Sequence, residues 1–274
     1  KKRFEFEEFP KSLLNIISNI GVYAIEKDNL NNLWIGTFGQ GVIKYNSESR
    51  NFTRIQNVED RDEGLSSNLI RIIRIDSKNN VWVGTEKGLN KITESNGIET
   101  YFYDAKVQYG EDILCVFEDS DKTLWIGTKS KGLFKYNGKT FEFVSLPLGE
   151  ERVSAVHSIL EEEDEGQLWL STNLGLIKYT KFNKEVQLFN QTDGILSNEF
   201  NDNASLKIGK SEFFFGGPSG VTHFNSNTIT TNNYVPQVIL TDFNVKEYEN
   251  YNPKDVLKKT LPYTESINLS HKQG

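Results

Sequence analysis

Five copies of one short pattern recur at a nearly constant interval, and that interval limits the fold more than any other feature of the chain. NLWIGTFGQGVIKYN at 32–46, NVWVGTEKGLNKI at 80–92 and TLWIGTKSKGLFKYN at 123–137 are followed by two variants. QLWLSTNLGLIKYT at 167–180 has Ser171 in place of glycine, and EFFFGGPSGVTHFN at 212–225 has Phe214 in place of tryptophan. The anchors Trp34, Trp82, Trp125, Trp169 and Phe214 lie 48, 43, 44 and 45 residues apart. A period of roughly 45 residues is that of a propeller blade.

Each unit has room for four short strands. In the second, the residues predict an inner strand at Leu69–Ile75, then Val81–Thr85, Gly88–Ile92 and an outer strand at Glu99–Tyr103, parted by polar clusters such as DSKNN. Helical periodicity is not sustained for twelve residues anywhere. The expected class is all-β: a β-propeller of four-stranded antiparallel blades at 20–56, 70–103, 112–145, 155–190 and 202–225. The aligned aromatics should be buried, filling the gap between sheets that radiate like spokes. Gly36, Gly84 and Gly127, two residues after the tryptophans, should allow close approach of a neighbour, and Gly41, Gly88, Gly132, Gly175 and Gly220 should open the turn into the third strand.

The ends break the period. RFEFEEF at 3–9 alternates as KTFEFVSL at 139–146 does, so it reads as the outer strand of a preceding blade, or as the strand that closes the ring on the fifth blade. After residue 230 the pattern gives way to a polar linker over 231–274, with a short C-terminal β segment expected at Gln237–Val245 and again at 266–271. The absence of methionine, even at position 1, suggests a segment of a longer polypeptide.

Composition narrows the function. With 31 basic against 38 acidic residues the chain carries a net charge of −7, without the basic patch of a nucleic-acid binder. Cys115 is the only cysteine and lies in the apolar run ILCVF, a small buried hydrophobe rather than a nucleophile. His157, His223 and His271 lack metal-ligand spacing, so no metal and no cofactor is expected. No run is long enough to cross a bilayer.

The unit G-L-S-S-N at 64–68, followed by an inner strand and D-x-x-N-N-V-W-V-G-T-x-x-G-L, resembles the two-component regulator propeller repeat. DGILSNEFN at 193–201 is similar to the lead into that family's last blade, and VPQVILTDFNV to the start of its immunoglobulin-like Y-Y-Y domain. The fourth unit departs, with EEEDEG before Trp169. The resemblance implies the periplasmic sensor region of a hybrid two-component system: an inner-membrane protein, homodimeric at full length, whose absent transmembrane helix leads to a histidine kinase. It also implies an oligosaccharide signal that this segment would bind, or transmit, without catalysing.

Two other readings stand beside that one: a propeller glycosidase or lyase, and a structural protein-interaction propeller. D-E-G-Q-L-W at 164–169 is an incomplete Asp box, and the acidic run Glu161–Glu165 reads as a solvated turn rather than a pair of catalytic carboxylates. The expected ligand surface is one rim, built from the turns between second and third strands and the loops entering the inner strands. Its candidates are Phe38, Gln40, Lys87, Lys129, Lys131 and Asn173 from the first set and Arg61, Asn68, Arg152 and Asn198 from the second. Their basic bias would suit an acidic oligosaccharide.

Overall fold

The computed structural model describes residues 9–229 apart from 59–63, 94–96, 105, 108 and 163–165. Each repeat folds as an antiparallel meander. The first blade is β1 (Val22–Lys27), β2 (Asn32–Thr37), β3 (Val42–Asn46) and β4 (Phe52–Ile55). The second is β5 (Ile70–Ile75), β6 (Val81–Thr85), β7 (Gly88–Ile92) and β8 (Ile98–Tyr101). A two-stranded ribbon, β9 (Tyr103–Asp104) and β10 (Tyr109–Gly110), precedes the third blade. That blade is β11 (Ile113–Glu118), β12 (Leu124–Thr128), β13 (Leu133–Tyr136) and β14 (Phe141–Val144). The fourth is β15 (Val156–Glu162), β16 (Gln167–Thr172), β17 (Gly175–Thr180) and β18 (Val186–Phe189). The fifth has three strands, β19 (Ser205–Ile208), β20 (Glu212–Gly217) and β21 (Gly220–Asn225). Inner strands β1, β5, β11, β15 and β19 are neighbours in that order.

Strands second in each blade are apolar on both faces because another sheet lies on each side; β6 and β12 are buried along their whole length. The tryptophan of one blade packs against the next. Trp34 clusters with Ile73, Val81 and Val83 of the second blade, Trp125 with Ile159, Leu168 and Leu170 of the fourth. Glycine two residues later makes that contact possible. A Cβ on Gly84 would stand 2.5 Å from Cγ2 of Ile72 and 2.8 Å from Cγ2 of Ile113, so β11 could not approach. The turn glycines behave as expected: Gly88 has φ 142° and leads into β7.

Phe214 departs from the expected burial. It holds the tryptophan position, paired with His223 as Trp169 is with Lys178, yet it is only half-buried and stacks on the His223 ring at 4.3 Å. Its face is the one that a following blade would cover, and among the described residues none follows. Phe213 and Phe215, which face the fourth blade and the blade's own interior, are fully buried.

At the other end a short helix that periodicity did not reveal, α1 (Lys11–Ile17), lays Leu13 onto Ile35, Ile43 and Tyr45 of the first blade. Phe9 meets Tyr45 edge to face at 5.1 Å. The rest of the strand expected over 3–9, and everything expected over 231–274, lies outside the described residues.

An aspartate six residues before three of the tryptophans ties each blade together. Asp28, Asp76 and Asp119 accept from Nε1 of Trp34, Trp82 and Trp125 at 2.9, 2.8 and 2.9 Å while also holding the amides of their own turns. In the fourth blade Glu162 accepts from Trp169 Nε1 at 3.0 Å. The expectation that Glu161–Glu165 forms a solvated turn is therefore wrong for its first two residues. Glu161 and Glu162 end β15 and are buried, because each is the acceptor that neighbouring buried donors require.

Candidate ligand-binding site

The rim formed by the turns between second and third strands holds a cavity of about 370 Å³ between the second and third blades. Its floor is an ion pair. Arg71 on β5 donates from Nε and Nη2 to the two Asp112 oxygens, each at 3.1 Å, a fork on a carboxylate that joins one blade to the next. Burial acts to weaken the Arg71 charge, but the Asp112 hydrogen bonds and charge outweigh it and hold its pKa above the usual value.

Beside the fork, Glu111 is almost fully buried and accepts from the Ser130 amide at 2.7 Å and its hydroxyl at 2.8 Å. One wall is the β9–β10 ribbon. A Cβ on Gly110 would fall 1.9 Å from the carbonyl oxygen of Lys87, so only glycine lets the ribbon lie against the turn between β6 and β7. That contact leaves the ring of Tyr109 at the cavity, 67% exposed.

Of the ten residues expected on this rim, Lys87 and Lys129 line the cavity, and Lys131 sits at its edge. The last two are held by carboxylates. Lys129 Nζ is 3.8 Å from Asp112 and Lys131 Nζ 3.8 Å from Glu111, and the lining sets three basic residues, Arg71, Lys87 and Lys129, beside three acidic ones, Glu86, Glu111 and Asp112. The basic bias read from the loops is thus balanced by carboxylates of the inner-strand loops.

The remaining candidates are dispersed over other junctions. Phe38 stacks on Tyr23 at 5.3 Å, and Gln40 accepts from Arg54 at 3.0 Å. Asn68, Asn173 and Asn198 shape loops. Asn68 accepts from the Asn57 amide at 2.8 Å, Asn173 from the amides of Ser154 and Ala155 at 3.0 Å each, and Asn198 from that of Gln191 at 3.1 Å. Asparagine in such a place satisfies backbone donors. Arg152 is exposed. Arg61 lies outside the described residues.

Sequence reasoning missed Tyr109, Arg71 and Asp112. A signal existed: residues 103–110 are more than a blade-to-blade connection needs, and they carry two tyrosines. Cys115 is buried with its thiol pushed up to about 12 by burial, unfit as a nucleophile at neutral pH.

Known proteins share this pattern and architecture. The two component regulator propeller family matches residues 15–39, 64–87 and 110–130, the last two of which supply most of the cavity. "Histidine kinase P4" of Formosa agariphila is 42% identical over 98% of the chain, which spans 20% of that protein's length. The extracellular domain of a hybrid two component system of B. thetaiotaomicron superposes over 99% of this chain and 36% of its own, at 22% identity and TM-score 0.69. A second such domain from B. thetaiotaomicron covers 74% of this chain and 26% of its own, at 22% identity and TM-score 0.60. With five copies of the pattern in register, folded as successive blades, the chain carries the repeat of the two component regulator propeller family in at least three of them.

Proposed function

We propose that this chain is part of the extracytoplasmic sensor of a hybrid two-component system, and that it binds an oligosaccharide without cleaving it. The names of its relatives support the sensor role, as does the absence, among the described residues, of any helix long and apolar enough to cross a membrane. One observation carries the ligand class: an exposed tyrosine lining a cavity with equal numbers of basic and acidic side chains, which is what a sugar ring with an apolar face and a hydroxyl edge requires. Because those charges balance, a neutral oligosaccharide fits better than an acidic one. Binding would be passed to a membrane-linked kinase through the rest of the chain.

Calorimetric titration with matched neutral and acidic oligosaccharides tests this reading. Neutral sugars should bind, and Tyr109→Ala should weaken them about fivefold, the loss expected for one aromatic contact of about 1 kcal/mol. Binding unchanged in that variant would place the site elsewhere.

A further inference from the structure

Four of the inner strands carry an irregularity at the same repeat position. Their register against the second strand slips between Val22 and Ala24, Ile70 and Ile72, Ile113 and Cys115, and Val156 and Ser158. The residues at the slip are Tyr23, Arg71, Leu114 and His157, and a bulge of this kind re-aims its side chain. Arg71 and His157 each reach an aspartate in the loop entering the next blade, Asp112 and Asp202, and Leu114 is buried. Tyr23 is 57% exposed.

Tyr23 meets Phe38. The residue that follows the last threonine of the second strand opens the rim turn, and it is Glu86, Lys129 and Asn173 in the next three blades but Phe38 in the first. The Tyr23 and Phe38 rings stack with centroids 5.3 Å apart and planes 25° apart, and Phe38 is 43% exposed. Backbone contacts fix Phe38 in place. Its amide donates to the Gly21 carbonyl at 2.9 Å, and a β-bridge to Leu69 ties it to the second blade. The stacked pair thus stands on the rim at the first–second junction.

Leu69 connects this pair to the rim cavity. Its carbonyl accepts from the Glu86 amide at 3.3 Å, and Glu86 lines the cavity together with Arg71. Polar groups border the pair on its other side, where Gln40 accepts from Arg54. Five of the six residues that the next three blades place at these two positions are polar. Two aromatic rings exposed together, with polar borders and next to a cavity, mark a contact surface rather than a demand of the blade.

We propose that Tyr23 and Phe38 form a second sugar-stacking platform, and that the ligand is an extended oligosaccharide laid along the rim from this pair, past Arg71 and Asp112, to Tyr109. The proposal rests on the reading of the rim cavity as a sugar site and adds a length requirement to it. A chain that reaches both platforms gains the second contact without a second association, so it binds more tightly than a short sugar held at one.

Cellobiose with cellohexaose, and maltose with maltohexaose, are the probes. Followed by NMR, a hexasaccharide should shift the ring resonances of Tyr23, Phe38 and Tyr109 along one binding curve, with an affinity at least about tenfold above that of its disaccharide. Tyr23→Ala and Phe38→Ala together should weaken the hexasaccharide about fivefold, keep its shift at Tyr109 and change the disaccharide by no more than about twofold. The same double variant should lower the melting temperature by no more than about 4 °C, because both rings are exposed. Shifts at Tyr109 with Tyr23 and Phe38 unmoved would overturn this proposal and leave the rim cavity a sugar site. No shift at Tyr109 with either hexasaccharide would overturn the sugar reading itself and this inference with it. A larger fall in melting temperature, with hexasaccharide affinity within twofold of the parent, would assign the two rings to the fold and overturn the platform.

Discussion

The second–third and third–fourth junctions share a hydrophobic skeleton and differ in a handful of polar positions. In the third–fourth junction Lys181 is 15% exposed, and Asp119 and Glu161 are 1% and 5% exposed, a cluster in which one ammonium is shared by these two carboxylates and exposed Asp121. Burial pulls the Lys181 pKa down, but the three carboxylates more than compensate and hold it well above the usual lysine range. In the second–third junction the corresponding Asp76 and Glu118 are half-buried and bordered by a cavity. Three positions separate the sealed joint from the open one: Lys181 against Gly138, Asp121 against Lys78 and Thr123 against Asn80. The blade-to-blade fit is set by apolar residues common to all repeats, so polar positions between the sheets are free to diverge toward stability or toward binding.

The shared skeleton gives the largest test. Trp82→Ala and Trp125→Ala should each cost about 3–5 kcal/mol in urea unfolding, since both rings are buried against the following blade. A difference above 2 kcal/mol between them would mean that the two junctions are not equivalent.

Lys181→Ala comes next. Removing the one cation from buried Asp119 and Glu161 should cost about 3 kcal/mol, whereas exposed Lys78→Ala should stay within about 0.5 kcal/mol. Equal losses would erase the contrast.

The pH dependence sharpens it further. Because the folded pKa of Lys181 is raised, its contribution is fully present below the unfolded lysine value of about 10.4 and lost as pH rises through the folded value. The stability gap between the parent and Lys181→Ala should thus be level from pH 7 to about 10 and shrink above that. A gap that already closes by pH 9 would show that Lys181 is not held by its carboxylates.

Phe214→Ala gives the smallest loss. With no described blade covering it, it should cost about 1 kcal/mol, well short of Trp125→Ala. A loss as large as that of Trp125 would show the ring to be buried in solution.

Much of this molecule was legible beforehand because a repeat states its own rules several times. The aligned tryptophans and the glycines after them constrain one another through the same packing, and the period made the all-β architecture plain. The short helix α1 escaped because seven residues are too few for a periodic signal, and it exists by packing Leu13 on the first blade. The candidate site was legible only in outline. Position within the repeat placed Lys87 and Lys129 on the rim that holds the cavity, whereas the same reasoning put three asparagines there whose side-chain oxygens hold loop amides.

By itself the sequence determined the blade count in this segment and the strand order within each blade, since both follow from local alternation and spacing. Tertiary structure alone decided which charges meet. Arg71 finds Asp112 41 residues away, and Lys181 finds Asp119 62 residues away, across junctions whose geometry depends on how whole sheets stack. An ion pair or a cavity is a property of two surfaces brought together, and a pattern within one repeat carries only half of it.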